Sequence, residues 1–198
     1  MLFVRHESLP LYIKRYPISA LFIGMVLLSM LVKEILLTIG YGWVVDLAVL
    51  SPSHVVEGEV WRLITYVFLH NGMFHLLFNL FFFYLFAPPL ERIYGKVGFI
   101  FILLVTALTG SLTILFFDPA PTIGASGIDF GLMGVYFHFI VRKKRFLDES
   151  SKQTVLVFLV IGFLSSVFIP NISIMGHLGG FIGGYLIPFL LKSRRSIA

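Results

Sequence analysis

Six side chains stand out in otherwise apolar runs of this sequence: His75, Asn79, Ser126, Asp129, His138 and His177. Within a bilayer such groups are costly and mark function. A serine hydroxyl beside an imidazole makes a nucleophile and its base, and Ser126 with His177 is the pair that could do this. His75 and Asn79 are spaced i, i+4 and share a helix face. From there they could offer side-chain donors to an oxyanion. Taken singly, each of the six reads as a hydrogen-bonding strut between helices. What argues for chemistry is the depth at which the surrounding elements hold them.

Those elements follow from composition. The chain has 198 residues, of which 58% are hydrophobic and 13% charged, with 22 Phe and a mean hydropathy of +0.97. A soluble domain carries charge on roughly 25% of its residues, and one this small cannot hide so much apolar surface. An ordinary soluble domain, a disordered chain and a nucleic-acid binder are excluded. There is no cysteine, which removes disulfides, thiolate metal sites and thiol nucleophiles. The expected fold is an all-α membrane protein, a compact bundle of six transmembrane helices forming one domain over residues 1–198. About 20 apolar residues cross a bilayer. Spans are expected near 17–39, 73–87, 97–117, 126–141, 153–169 and 175–191, the second stopped by Pro88-Pro89. The first is too long for a signal-peptide core and lacks an obvious small-residue cleavage site, so it is expected to be retained. The loop 40–71 is amphipathic, with Trp43 and Trp61, and is expected to hold short helices lying in the membrane interface.

The positive-inside rule tests this layout. On one side fall Arg5, Lys14, Arg15, Arg92, Lys96, Arg142, Lys143, Lys144, Arg145, Lys152, Lys192, Arg194 and Arg195, which is 13 of the 15 Lys and Arg; the other holds only Arg62. Lys33 lies in the outer part of the first span. Six spans with both termini cytoplasmic follow. Spans two, four and six then descend from the outer face, each ending at a charged marker. Ser126 lies 16 residues before Arg142, His177 lies 15 before Lys192, and His75 lies 16 before Glu91. At about 1.5 Å per residue all three sit roughly 24 Å above the inner boundary. That is several ångströms below the outer surface of a hydrocarbon layer about 30 Å thick.

Glycines add a second constraint. Gly127 and Gly131 in span four, and Gly176, Gly180 and Gly184 in span six, repeat at spacing four, which lets two helix backbones approach closely. Ser126 also opens a helix, where the first N–H groups are unpaired and the field is positive. An oxyanion formed there would meet its amide and that of a neighbour, with Ala125 among the supporting positions.

These residues resemble the rhomboid family of intramembrane serine proteases, in its minimal bacterial six-span form. The matching pieces are Gly-Ala-Ser-Gly at 124–127, Gly-His-Leu-Gly-Gly at 176–180, Trp61-Arg62, and the segment from His70 through His75 to Asn79. The resemblance implies that Ser126 is the nucleophile and His177 the general base, with His75, Asn79 and the Ser126 amide stabilising the oxyanion. It implies that Phe130 packs beneath the catalytic imidazole. It gives structural positions to Trp61, Arg62, Glu91, Arg92, Gly124, Gly127, Gly180 and Gly184, and to His70 an organising role in the loop before the second span. Single-span membrane proteins are the implied substrates, entering laterally past the second and fifth spans.

Asp129 departs from the family pattern, which has an apolar residue there. It could orient His177, be held protonated between helices, or line a water path; a structural role is expected. His138 lies deeper and is expected to be a strut or to face the cytoplasmic side. A metal or haem protein using His70, His75, His138 and His177 is disfavoured, because no carboxylates stand at zinc spacing. A transporter or channel is disfavoured by the lack of an internal repeat. A catalytically silent relative that binds membrane helices is the remaining alternative. No cofactor, metal or nucleic-acid partner is expected, and a bacterial plasma membrane is the expected location.

Overall fold

The computed structural model describes residues 2–118, 120–142, 147–170 and 172–192. Lys143, Lys144, Arg145, Arg194 and Arg195 of the expected cytoplasmic charge set lie outside them. A short helix α1 (Leu9–Arg15) leads through Tyr16 into α2 (Pro17–Thr38). The loop that follows carries three short helices, α3 (Gly42–Asp46), α4 (Pro52–Val56) and α5 (Arg62–Thr65), and a 3-10 turn at Tyr66–Phe68. Then come α6 (Gly72–Phe117), α7 (Ser126–Arg142), α8 (Glu149–Phe168) and α9 (Ile174–Leu190). Among the described residues the remaining pairing is one antiparallel bridge, Leu50 to Thr122. By length and composition α2, α6 and α8 can cross a membrane, while α9 is a shorter apolar helix. The outward faces of α2 and α8 are apolar, with Leu28, Leu31, Val160 and Val167 all more than half exposed. Such a surface calls for lipid rather than water.

The second span does not stop at Pro88-Pro89. Helix α6 continues past both prolines and breaks at Gly95, whose φ of 73° and ψ of 173° divide it into limbs 72–94 and 96–117. A proline inside a helix lacks the N–H that would reach back four residues. For Pro89 the orphaned acceptor is the Leu85 carbonyl, and Arg5 Nη2 donates to it at 3.2 Å. The Arg5 guanidinium itself lies over the rings of Tyr12, Tyr16 and Tyr84, at 5.3–6.0 Å from their centroids. The stop falls at Gly95 because that backbone conformation is open to glycine alone.

Glu91, buried at the foot of the first limb of α6, joins it to α2. Its carboxylate accepts from the Ile18 N–H at 2.9 Å, the Ser19 N–H at 2.8 Å and the Ser19 hydroxyl at 2.7 Å. Those amides open α2 and have no partner of their own in the helix, so a carboxylate there satisfies two donors and meets the positive end of the helix. Arg92 beside it is exposed. Helix α8 begins a turn earlier than expected because Asp148 caps it, accepting from the Ser151 N–H at 3.1 Å. Ser173 caps α9 in the same way through the Gly176 N–H, and its hydroxyl donates to Asp118 at 2.8 Å.

Helix α9 lies against α7 along a glycine seam where backbone meets backbone. A methyl group on Gly180 would overlap the Gly127 carbonyl, and one on Gly184 would overlap the Gly131 carbonyl. Gly134 of α7 faces the Phe181 carbonyl in return, and Gly179 and Gly183 turn towards Thr113 and Thr109 in the second limb of α6. Gly180→Ala should therefore cost about 1–3 kcal/mol or more, as overpacking against rigid backbone does. Gly24→Ala in α2, where nothing lies within 4 Å, should be neutral or stabilise by up to about 1 kcal/mol. Thermal unfolding of the two variants in detergent micelles measures the contrast.

Candidate active site

The glycine contacts bring the N-terminal ends of α7 and α9 together. A methyl on Gly127 would lie 3.4 Å from the Gly176 carbonyl oxygen, so the residues flanking Ser126 and His177 approach with room for little more than a methyl group. Ser126 is half-buried and His177 buried. One turn along α7 from Ser126, the Phe130 ring lies flat on the His177 imidazole, centroids 4.1 Å apart and planes 13° from parallel. Behind Phe130 is Gly162 of α8, where a methyl would fall 2.7 Å from the end of the ring. Ser166, one turn further along α8, places its Oγ 2.6 Å from His177 Nδ1. Its Oγ is also 2.8 Å from the Gly162 carbonyl oxygen, to which it donates.

The opposite wall is the segment leading into α6. His70 is fully buried; its Nε2 accepts from the Ala125 N–H at 3.4 Å and its Nδ1 donates to the Phe68 carbonyl at 3.4 Å. Burial, with His75 and Lys33 alongside, pushes His70 down to about 4, so the neutral imidazole that this pairing needs is the form present. Lys33 Nζ donates to the His70 carbonyl at 2.7 Å and pairs with Glu34 at 3.1 Å, tying α2 to this wall. The rings of His70 and His75 are 4.9 Å apart, edge to face. His75 Nδ1 accepts from the Asn71 N–H at 3.3 Å, so the neutral ring carries its proton on Nε2. That Nε2 lies against Gly124, 2.7 Å from where a methyl would be. Gly124 has φ +127°, a conformation that side chains resist; it combines that turn with room for the imidazole. Its N–H donates to the Tyr66 carbonyl at 3.0 Å, and Tyr66 itself donates to the Ala107 carbonyl at 3.1 Å.

Asn79 is buried one turn below His75. Its Nδ2 donates to the His75 carbonyl at 2.7 Å, and its Oδ1 has no partner. Asp129 is buried with its Oδ1 unpartnered, and Ser166 rather than Asp129 occupies His177 Nδ1. His138 donates from Nδ1 to the Tyr185 carbonyl at 3.0 Å, a strut between α7 and α9. Trp61 donates to the Leu47 carbonyl at 3.0 Å. Arg62 is buried, pairs with Glu59 at 2.5 Å, and donates to the carbonyls of Asp46 and of Val49, the latter at 2.7 Å. Together these bonds tie parts of the 40–71 loop to one another. No cluster of metal-binding side chains is found among the described residues. Sequence reasoning passed over Ser166 and Gly162; the signal was a serine at i+4 from a glycine near the C-terminal end of α8.

This is a helical membrane protein with a polar centre sunk between glycine-packed helices. Residues 57–194 match the family model described as the Rhomboid domain, and the chain belongs to the rhomboid family. The Bacillus subtilis protein YdcA is 31% identical over 196 residues, covering 98% of each chain. The rhomboid protease GluP of the same bacterium is 34% identical over 133 residues, 67% of this chain and 26% of that protein. Rhomboid-like protease 1 of Toxoplasma gondii is 33% identical over 148 residues, 70% of this chain and 50% of that protein.

A contrast between two glycines tests the seat of His75. Gly124→Ala should lose both stability and proteolytic rate, because it adds backbone strain of about 1–3 kcal/mol and displaces the imidazole. Gly58→Ala, with φ +107° but nothing within 4 Å, should carry the strain alone and keep its rate. Unfolding temperature and substrate cleavage, measured on both variants, separate the two effects.

Proposed function

We propose that this protein is an intramembrane serine endopeptidase, hydrolysing a peptide bond in or near the transmembrane helix of another membrane protein. The observation that carries the reading is the His177 imidazole laid on Phe130, one turn from Ser126, where α7 and α9 meet backbone to backbone. In the proposed reaction Ser126 Oγ attacks the scissile carbonyl carbon, and His177 Nε2 takes the hydroxyl proton. The C–N bond then breaks, and His177 passes that proton to the leaving amine. Water attacks the acyl-serine, gives a proton to His177, and the acid product leaves as the proton returns to Ser126 Oγ. Oxyanion charge is met by the unpaired first amides of α7 and by the His75 Nε2–H. Asn79 supports the wall through the His75 carbonyl and has a second Nδ2 hydrogen to offer. Asp129 takes no part in proton transfer.

The substrate must present its bond as extended chain, since a helical hydrogen bond shields a carbonyl from attack. Single-span proteins with helix-breaking residues near the cleavage point suit this requirement. Both termini of the enzyme face the cytoplasm in this reading, as the charge distribution favours, and the membrane is the plasma membrane of a bacterium. Wild-type protein in liposomes should cleave a single-span substrate. Ser126→Ala and His177→Ala should each lose at least about 10³-fold in kcat, as removal of a nucleophile or base does, and Asp129→Asn should retain most of the rate. Cleavage by Ser126→Ala at the wild-type rate would overturn the proposal.

A further inference from the structure

The hydrogen-bond count around Ser166 fixes more than a contact. A serine hydroxyl has one proton. Ser166 Oγ lies 2.8 Å from the Gly162 carbonyl oxygen and 2.6 Å from His177 Nδ1. Two oxygens at that separation repel unless a proton lies between them, so the proton of Ser166 is on the Gly162 contact. This back-bond to the carbonyl four residues earlier is the one helical serines ordinarily make. Ser166 Oγ is thus left as an acceptor towards His177, and the hydrogen between them belongs to Nδ1. A neutral imidazole with its proton on Nδ1 has its free lone pair on Nε2. Gly162 also accepts from Ser165 Oγ at 2.8 Å, so its carbonyl is shared between the helical ladder and both hydroxyls, the crowded back-bonding that serines make in helices.

We infer that Ser166 is a positioning residue for His177: its hydroxyl, oriented by the Gly162 carbonyl, selects the Nδ1–H tautomer and so presents Nε2 as the base. The inference rests on the reading of His177 as the base for Ser126. Helix α8 is shaped for the task. Its buried stripe runs through Ser151, Val155, Leu159, Gly162 and Ser166. Gly162 serves twice, leaving room for the end of the Phe130 ring and turning its carbonyl to Ser166. The imidazole is therefore held on its face by Phe130 from α7 and on its edge by Ser166 from α8. Such two-point fixing is what a carboxylate supplies in serine hydrolases of the triad type. Here a neutral hydroxyl supplies it.

The test compares Ser166→Ala and Ser166→Thr with wild type, using full-length protein in liposomes and a single-span substrate. Ser166→Ala should lower kcat about tenfold or more with KM little changed, because Ser166 is buried and acts through His177. Ser166→Thr keeps the hydroxyl and should keep most of kcat. Nitrogen NMR of histidine-labelled protein should find the proton of His177 on Nδ1 in wild type and lose that preference in Ser166→Ala. An unchanged kcat in Ser166→Ala, or an Nδ1–H tautomer that persists without the hydroxyl, would overturn the inference. Full activity of His177→Ala would instead overturn the function proposed above, while the NMR result would still decide whether Ser166 sets the tautomer.

Discussion

Backbone contact along the glycine seam between α7 and α9 is the constraint on which the rest of this structure depends. In lipid, two helices gain little from burying apolar groups against each other, and close backbone contact takes the place of that drive. Gly180 and Gly184 against the Gly127 and Gly131 carbonyls bring the two helices to that limit. The same contact sets the geometry at their upper ends. Residues 127 and 176 come within little more than a methyl group of each other, and Ser126 and His177 are their neighbours in the chain. A bulkier seam would hold the helices apart and separate the pair. Dispersion and helix geometry therefore place the polar centre before any hydrogen bond is formed.

Hydrogen bonds then set the protonation of each ring around that centre. His70 has its hydrogen on Nδ1 because Nε2 accepts from the Ala125 amide. His75 has it on Nε2 because Nδ1 accepts from the Asn71 amide. In each case a group that can only donate decides the tautomer. The two rings serve different ends. His70 braces the segment leading to Ser126, while His75 turns an N–H towards Gly124 and the start of α7. A single residue type thus yields a structural acceptor and an outward-facing donor five positions apart, according to which nitrogen the backbone occupies.

How much of this could be read from the sequence depended on the range of the interaction. The glycine stripes, Ser126 at a helix start and Phe130 one turn later are local patterns with helical periodicity, and each lies within a single helix. Trp61 and Arg62 likewise act within their own loop. The features that escaped are contacts between distant segments. Pro88-Pro89 reads as a stop because a proline orphans a carbonyl; nothing local reveals that Arg5, some 80 positions away, supplies the missing donor. Glu91 reads as a charge near the end of a span, and its partners are the first amides of α2, more than 70 positions away. Ser166 reads as a polar residue tolerated in an apolar helix, since helix geometry already gives it a carbonyl to bond. Only the arrival of α9 turns that ordinary bond into a fixed acceptor.

The choice of a hydroxyl rather than a carboxylate beside His177 has a physical basis in this setting. A buried carboxylate stabilises an imidazolium strongly, but holding the charge in a low-dielectric interior costs several kcal/mol unless its oxygens are well hydrogen-bonded. Asp129 stands three residues after Ser126, and its Oδ1 is buried with no partner. It lacks the donors that would make a charged form affordable there. Ser166 avoids that cost, because a neutral hydroxyl whose proton is already taken by a carbonyl presents a lone pair with no charge to desolvate. It gives less electrostatic help to the imidazolium than an ionised carboxylate would. In the proposed reaction the only charges to be stabilised in the interior are then those that the reaction creates, the oxyanion and the imidazolium. These two arise together and next to each other, and their mutual attraction is strongest where the dielectric constant is low.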